Sequence, residues 1–188
     1  MLRKRIRTAG FTLIELAVGL AVVSILLVMG MPTLMSVLDS ARIRSAASGF
    51  NAGVQFARAQ AISRNVAVDF VPVQLGGALT PGWTVSVRGG AVIESRPVQE
   101  GSAQTVQVGN NGSGVESITF NGLGAAVFRD SAGAAVTGVN PVVFSFSLPA
   151  VACAANGGQV RCLDVRVSTA GQNRLCDPVA VAGDTRAC

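Results

Sequence analysis

The segment Phe11–Met31 constrains this chain more than any other. It carries only Thr12, Glu15 and Ser24 as polar side chains. As a helix it would span about 31 Å, one hydrocarbon core. Arg3, Lys4, Arg5 and Arg7 stand just before it, and this excess of positive charge predicts a cytoplasmic N-terminus with an exported remainder. A secretory signal places its small-residue cleavage site after the apolar region; here the small residue, Gly10, comes before it. A cut between Gly10 and Phe11 would remove the charges and leave the apolar helix on the product. A plain signal anchor would not call for the acid inside the segment. A carboxylate costs about 2.5–3.5 kcal/mol at the centre of a span, less near its ends, and usually has a partner.

Charge then has to be read without the leader. The chain has 15 basic and 10 acidic side chains, and four of the basic ones are those before Gly10, so the remainder is left at about +1. The basic isoelectric point belongs mostly to the leader and is no argument for a nucleic-acid partner. There is no His and no Tyr, which excludes a His-dependent triad, a His general base and a His metal site. The one lysine, Lys4, lies in the leader, so no later lysine can form a Schiff base or a phosphate-binding loop. Gly112-Ser-Gly114 and Gly122-Leu-Gly124 do not continue as a dinucleotide fingerprint and are expected to be turns. No catalytic residue, cofactor or metal is expected.

Four cysteines, Cys153, Cys162, Cys176 and Cys188, fall near the C-terminal end. An even number in an exported domain favours disulfides. A zinc site would normally show a pair two to four residues apart, and none is present. Four cysteines allow three connectivities. Ala-Asn-Gly-Gly between the first two suggests a hairpin turn and favours Cys153–Cys162, which leaves Cys176–Cys188 to pin the tail.

Helix-compatible sequence continues past the apolar run to Arg64. Pro32 removes a hydrogen bond and should kink the helix. Beyond it Ile43, Ala47, Phe50, Val54, Ala57 and Ala61 recur at steps of three and four. They make one apolar seam, expected to be a core face against a sheet. Asn65 suits a left-handed helix end. After it the period changes to two. Strands are expected at 66–71, 83–88, 91–98, 117–120, 125–128, 142–148 and 160–168, with Gly, Asn and Pro clusters at 75–82, 109–114, 132–141 and 154–158 between them. The stretch 101–114 is expected to be a mobile surface loop.

The order Gly10-Phe11-Thr-Leu-Ile-Glu15 after a basic start resembles the leader of type IV pilins and type II secretion pseudopilins. The resemblance implies that a prepilin peptidase cuts after Gly10 and methylates Phe11. It also implies that Glu15 pairs with the N-terminal amine of a neighbouring subunit during assembly. The expected fold is α+β and type IV pilin-like, a long N-terminal helix with a transmembrane first half, packed beyond it on an antiparallel sheet. The expected organisation is a cleaved leader at 1–10, a transmembrane half-helix at 11–35 and a periplasmic domain at 36–188 with a disulfide-bonded tail. The implied location is the bacterial inner membrane, single-pass, or the tip or surface of an assembled fibre.

Ser45-Ala-Ala-Ser, Ala57-Arg-Ala-Gln-Ala-Ile-Ser-Arg-Asn-Val, Gly82-Trp-Thr-Val, Ile118-Thr-Phe-Asn-Gly-Leu-Gly and Val165-Arg-Val-Ser-Thr-Ala-Gly look like the GspH/FimT branch of that family. The branch implies a structural and assembly role, as a minor pilin of a type IV pilus or a minor pseudopilin of type II secretion. Its partners would be other pilins or pseudopilins, the peptidase, the inner-membrane assembly platform and the lipid bilayer. FimT-like members are associated with DNA uptake through a Gly-Arg-x-Arg segment. Here that stretch reads Gly171-Gln172-Asn173-Arg174, so the second arginine matches and the first does not. Arg161, Arg166 and Arg186 lie nearby and complete a set of candidates for contact with double-stranded DNA. Asp164, Asp177 and Asp184 are interleaved with them, and no Tyr or Trp is at hand for base stacking.

Overall fold

A computed structural model describes residues 12–98, 106–149 and 151–188, and the side chains of all of these except 28–33. The leader and the junction Gly10–Phe11 lie outside the described residues, and the kink expected at Pro32 falls among the side chains outside them. A single helix, α1 (Leu13–Arg64), opens the structure. The chain forms two compact units, divided between Val37 and Leu38.

In the first unit Thr12 and Glu15 form a capping box. The Thr12 hydroxyl accepts from the Glu15 amide at 3.3 Å, and the Glu15 carboxylate reaches back to the Thr12 amide at 3.5 Å and hydroxyl at 3.4 Å. Two otherwise unpaired donors of the first turn are met in this way. Leu13, Ile14, Leu16, Val18, Leu20, Val22, Val23, Ile25, Leu26 and Leu27 are all exposed, so the helix is apolar on every side. Among the described residues no helix is long and apolar enough to cross a membrane; the run Phe11–Met31 begins before them, and its side chains from 28 on lie outside the described ones.

The second unit is built around the apolar seam. Ile43, Ala47, Phe50, Val54, Ala57 and Ala61 are all fully buried. Asn65 ends the helix at φ 52°. Among the described residues nine strands follow: β1 (Val68–Leu75), β2 (Ala78–Val87), β3 (Val92–Arg96), β4 (Gln107–Gly109), β5 (Ser117–Phe120), β6 (Ala126–Arg129), β7 (Val142–Ser147), β8 (Leu163–Val167) and β9 (Asn173–Cys176). They form one antiparallel sheet in the order β6-β5-β1-β2-β4-β7-β8-β9, with β3 paired to β2. Alternation turns Val68, Phe70, Val85, Ile118, Phe120, Phe144, Phe146, Val165 and Val167 inward, each fully buried. Phe50 is the hub, its ring 4.9 Å from Phe70, 5.1 Å from Phe144 and 5.3 Å from Phe146.

Three expectations need correction. The stretch 75–82 is not a loop. β1 runs through Pro72 with a register shift between Pro72 and Gln74, then turns at Gly76-Gly77, both at positive φ, as a two-residue hairpin demands. Residues 107–109 within the expected loop form β4, which bridges β2 and β7. Between Cys153 and Cys162 there is no hairpin but a 3-10 turn, Ala154–Asn156, closed by Gly157.

Trp83 fixes the helix in place. Its indole lies against Gly53, where a Cβ would sit 2.5 Å from the ring, and its N–H donates to the Gly49 carbonyl at 3.2 Å. Gly49 and Gly53, one turn apart, make a shelf under the indole, and at Gly53 only glycine leaves room for the ring.

Candidate functional site

The four candidate arginines come from the last hairpin and the tail behind it. β8 and β9 pair so that Arg166 stands directly opposite Arg174, and Asp164 opposite Cys176. Val165 and Val167 take the inner face, so Asp164, Arg166, Arg174 and Cys176 take the outer one. Like charges placed opposite each other on a sheet destabilise it. Backbone oxygens of the tail offset this: Arg174 Nη2 donates to the Thr185 carbonyl at 2.9 Å, and Arg166 Nη1 to the Cys188 oxygen at 3.3 Å. The tail is held by the Cys176–Cys188 disulfide, with Cα atoms 5.1 Å apart, and by the Asp177 amide, which donates to the Arg186 carbonyl at 2.7 Å. The other bridge, Cys153–Cys162, closes the loop before β8.

Arg161 and Arg186 do not join that pair. Arg161 Nη1 is 3.2 Å from the buried Asp177 carboxylate. Arg186 binds Asp184 through Nε at 3.1 Å and Nη2 at 2.7 Å. These hydrogen bonds hold the Asp184 carboxyl at about 2, well below the usual carboxylate range, and push Arg186 up. Together with Arg44, Arg161 and Arg186 line a separate cleft of about 260 Å³ that also holds Asp177.

Asp164 behaves differently. It lies on the outer face by alternation yet is 8 % exposed, because the tail covers it; Cys188 Sγ is 4.0 Å from its carboxylate. Burial raises its pKa, against the Ser145 hydrogen bond and the Arg166 charge, which lower it. Nε of Arg166 is buried and has no hydrogen-bond partner.

Arg58, on the helix, is the residue that sequence reasoning missed. Its Nε donates to the Gly124 carbonyl at 3.1 Å. A Cβ at Gly171 would collide with that same carbonyl, and a Cβ at either Gly124 or Gly171 would lie 3.0 Å from Arg58 Nε. The turn between β5 and β6 and the turn between β8 and β9 therefore meet at Arg58, and the Ala126 amide donates to the Thr169 carbonyl at 2.9 Å beside it. Asn173 Nδ2 reaches Asn51 Oδ1 on the helix at 2.7 Å. The two outermost strands of the sheet are thus tied to one helix. Arg58, Arg166 and Arg174, with Ser168, Gln172 and Asn173, line an open groove of about 540 Å³ whose lining includes no carboxylate. The one hint in the sequence was the arginine within Ala57-Arg-Ala, an interruption beside the apolar seam.

Comparison with known proteins adds the following. Residues 46–171 match the family described as type II transport protein GspH. Residues 5–31 match the prokaryotic N-terminal methylation motif. No curated protein matches the chain at a significant level. Among solved structures, the chain is similar to the type IV minor pilin FimU of Pseudomonas aeruginosa in two crystal forms. One has 19% identity and a TM-score of 0.50, covering 73% of this chain and 93% of that one. The other has 21% identity and a TM-score of 0.47, covering 73% and 98%. At such identity the likeness in the first of these speaks to the fold.

Proposed function

We propose a function from the premise that this chain belongs to the GspH family of type II transport proteins: it is a minor pilin or minor pseudopilin, a structural and assembly subunit of a thin helical fibre. One observation carries this. α1 runs from within the methylation motif at 5–31 into the family match at 46–171, so the apolar segment continues directly into the folded domain. In our reading a prepilin peptidase cuts after Gly10 and methylates Phe11. The apolar helix then holds the subunit in the inner membrane with its domain in the periplasm, until the assembly platform extracts it into the fibre. Glu15, which caps its own helix in the isolated chain, would exchange Thr12 for the amine of a neighbouring subunit. Intact-mass analysis of membrane-extracted protein tests this: we expect loss of Met1–Gly10 and gain of one methyl group. Retention of the leader in cells with active peptidase would refute it. Whether neighbouring genes encode a pilus or a type II secretion machine distinguishes the two fibres.

The groove supports a second reading, a DNA-binding minor pilin used in DNA uptake. Three guanidinium groups without a lining carboxylate suit a phosphate backbone, and such binding weakens as salt rises. Arg174→Ala should lower affinity for all sequences alike, and Gln172→Arg should raise it. Absence of any gel shift at low salt and high micromolar protein would remove this reading and leave the structural role intact.

A further inference from the structure

We propose that the tail Asp184–Cys188 is a built-in cover over the Arg166–Arg174 pair, latched by the Cys176–Cys188 disulfide, and that opening the latch turns this face into an oxyanion-binding surface. Three observations carry it. Thr185 and Cys188 place backbone oxygens on the two arginines, 2.9 and 3.3 Å away, where the oxygens of a phosphate or sulfate would otherwise sit. Asp164 and Cys176, outward-facing by register, are 8 % and 2 % exposed, so the tail lies over this end of the face, while Arg174 stays exposed on the open groove beside it. The arginines are cross-strand neighbours, an arrangement that costs stability unless an acceptor stands over both.

The tail's own hold on the domain is small. Apart from the disulfide, among the described residues it consists of a single bridge, Asp177 to Ala187, the Asp177 to Arg186 backbone bond, the Cys188 Sγ contact with Asp164 and the two arginine contacts. Asp184 and Arg186 neutralise each other within the tail. Its departure therefore takes no net charge from the face; Arg174 loses its acceptor, and Arg166 keeps only the Asp164 carboxylate at 4.0 Å. Opening proceeds by thiol–disulfide exchange with a protein dithiol. The dithiol passes two electrons and two protons to the bridge, Cys176 and Cys188 become thiols, and the dithiol becomes a disulfide.

The inference deepens the DNA reading and rests on it for the identity of the ligand; the cover is testable by itself. The experiment uses the full chain in detergent, with Cys176→Ser/Cys188→Ser as the opened form and Cys153→Ser/Cys162→Ser as a control for general loosening. Hydrogen exchange of residues 184–188 reports the tail. Anisotropy of a short fluorescent duplex DNA and the salt needed to elute from heparin report the anion surface. We expect faster tail exchange in the opened form only, and at least about five-fold tighter binding of both probes, since two charge-assisted contacts become available. Adding Arg166→Ala and Arg174→Ala should abolish the gain. Tighter heparin binding with no DNA binding would keep the cover and reject the DNA reading. Equal DNA binding by the closed and opened forms would keep the DNA reading and overturn the cover. Unchanged tail exchange in the opened form would overturn the latch.

Discussion

The glycine shelf under Trp83 leads to a prediction in which one substitution, made one helical turn apart, changes sign. Replacing a helix-interior glycine by alanine gains about 1 kcal/mol of helix propensity at either position. At Gly53 the new methyl would stand 2.5 Å from Cε2 and 2.8 Å from Cδ2 and Nε1 of Trp83. That ring is 4 % exposed and packs on Phe70 at 6.0 Å, so it has to shift by about 1 Å within a filled core. Overpacking of this kind costs about 1–3 kcal/mol. A lost indole bond to Gly49 adds about 1 kcal/mol more. Gly53→Ala should therefore destabilise by about 2 kcal/mol net. At Gly49 the methyl meets Arg96 Nη1 at 2.7 Å, the far end of an exposed, flexible side chain that can move aside. Gly49→Ala should be neutral or stabilising by up to about 1 kcal/mol. Trp83 is the single tryptophan of the chain, so its fluorescence reports unfolding from the perturbed spot. In urea the Gly53→Ala midpoint should fall below wild type and the Gly49→Ala midpoint at or above it. Midpoints that move together, or a Gly53→Ala protein at least as stable as wild type, would refute the account of the shelf.

Other outcomes follow from single contacts. Glu15→Val should leave insertion intact while recovery in sheared fibres drops, and Glu15→Gln, which can keep the capping box, should drop equally if the charge is what the neighbour reads; normal recovery of both would exclude the pairing. Arg58→Ala should cost about 1.5 kcal/mol and speed hydrogen exchange at both 121–125 and 168–172, whereas acceleration of one turn alone would show that they are not joined through Arg58. A carboxyl titration by NMR should place Asp164 above the usual 3.8 and Asp184 at about 2. Because burial raises the folded pKa of Asp164, its ionisation costs stability as pH rises from 3.8 through the raised folded value, so Asp164→Asn should not destabilise above this window and should have no effect below it. The Asp184 contribution has the opposite sign: it is present above 3.8 and is lost as pH falls through about 2.

The helix was legible because its information is local. The seam from Ile43 to Ala61 has one period throughout, and Asn65 is a residue that tolerates the left-handed turn which ends the helix. Most strands announced themselves by alternation. β9 did not, because Asn173, Arg174, Leu175 and Cys176 alternate weakly and the segment was read for its arginine instead of its backbone. β4 is three residues long and exists through its partners in β2 and β7. Gly76-Gly77 carried a hairpin signal that the prolines on either side obscured. The arginine groove was legible only in part: Arg166 and Arg174 stood among the candidates, Arg58 did not. Arg58 meets Gly124 and Gly171 across long stretches of chain, and only the closure of the sheet makes the three neighbours. The same holds for the arginines as a set: proximity in sequence suggested four acting together, whereas pairing with Asp177 and Asp184 takes Arg161 and Arg186 out of it.

The contacts that lock the helix to the sheet also decide how the domain answers tension. Gly49, Asn51 and Arg58 each carry a polar bond to a different strand or turn: to Trp83 on β2, to Asn173 on β9 and to Gly124 beyond β5. A pull along the axis of this part of α1 would load all three at once, together with the whole buried seam between them. Bonds strained side by side share a force, while bonds opened one after another each meet it whole. The domain is therefore built to resist a drag on its helix far better than a peel at its tail, and a subunit hauled by its helix would be loaded in the direction it withstands best.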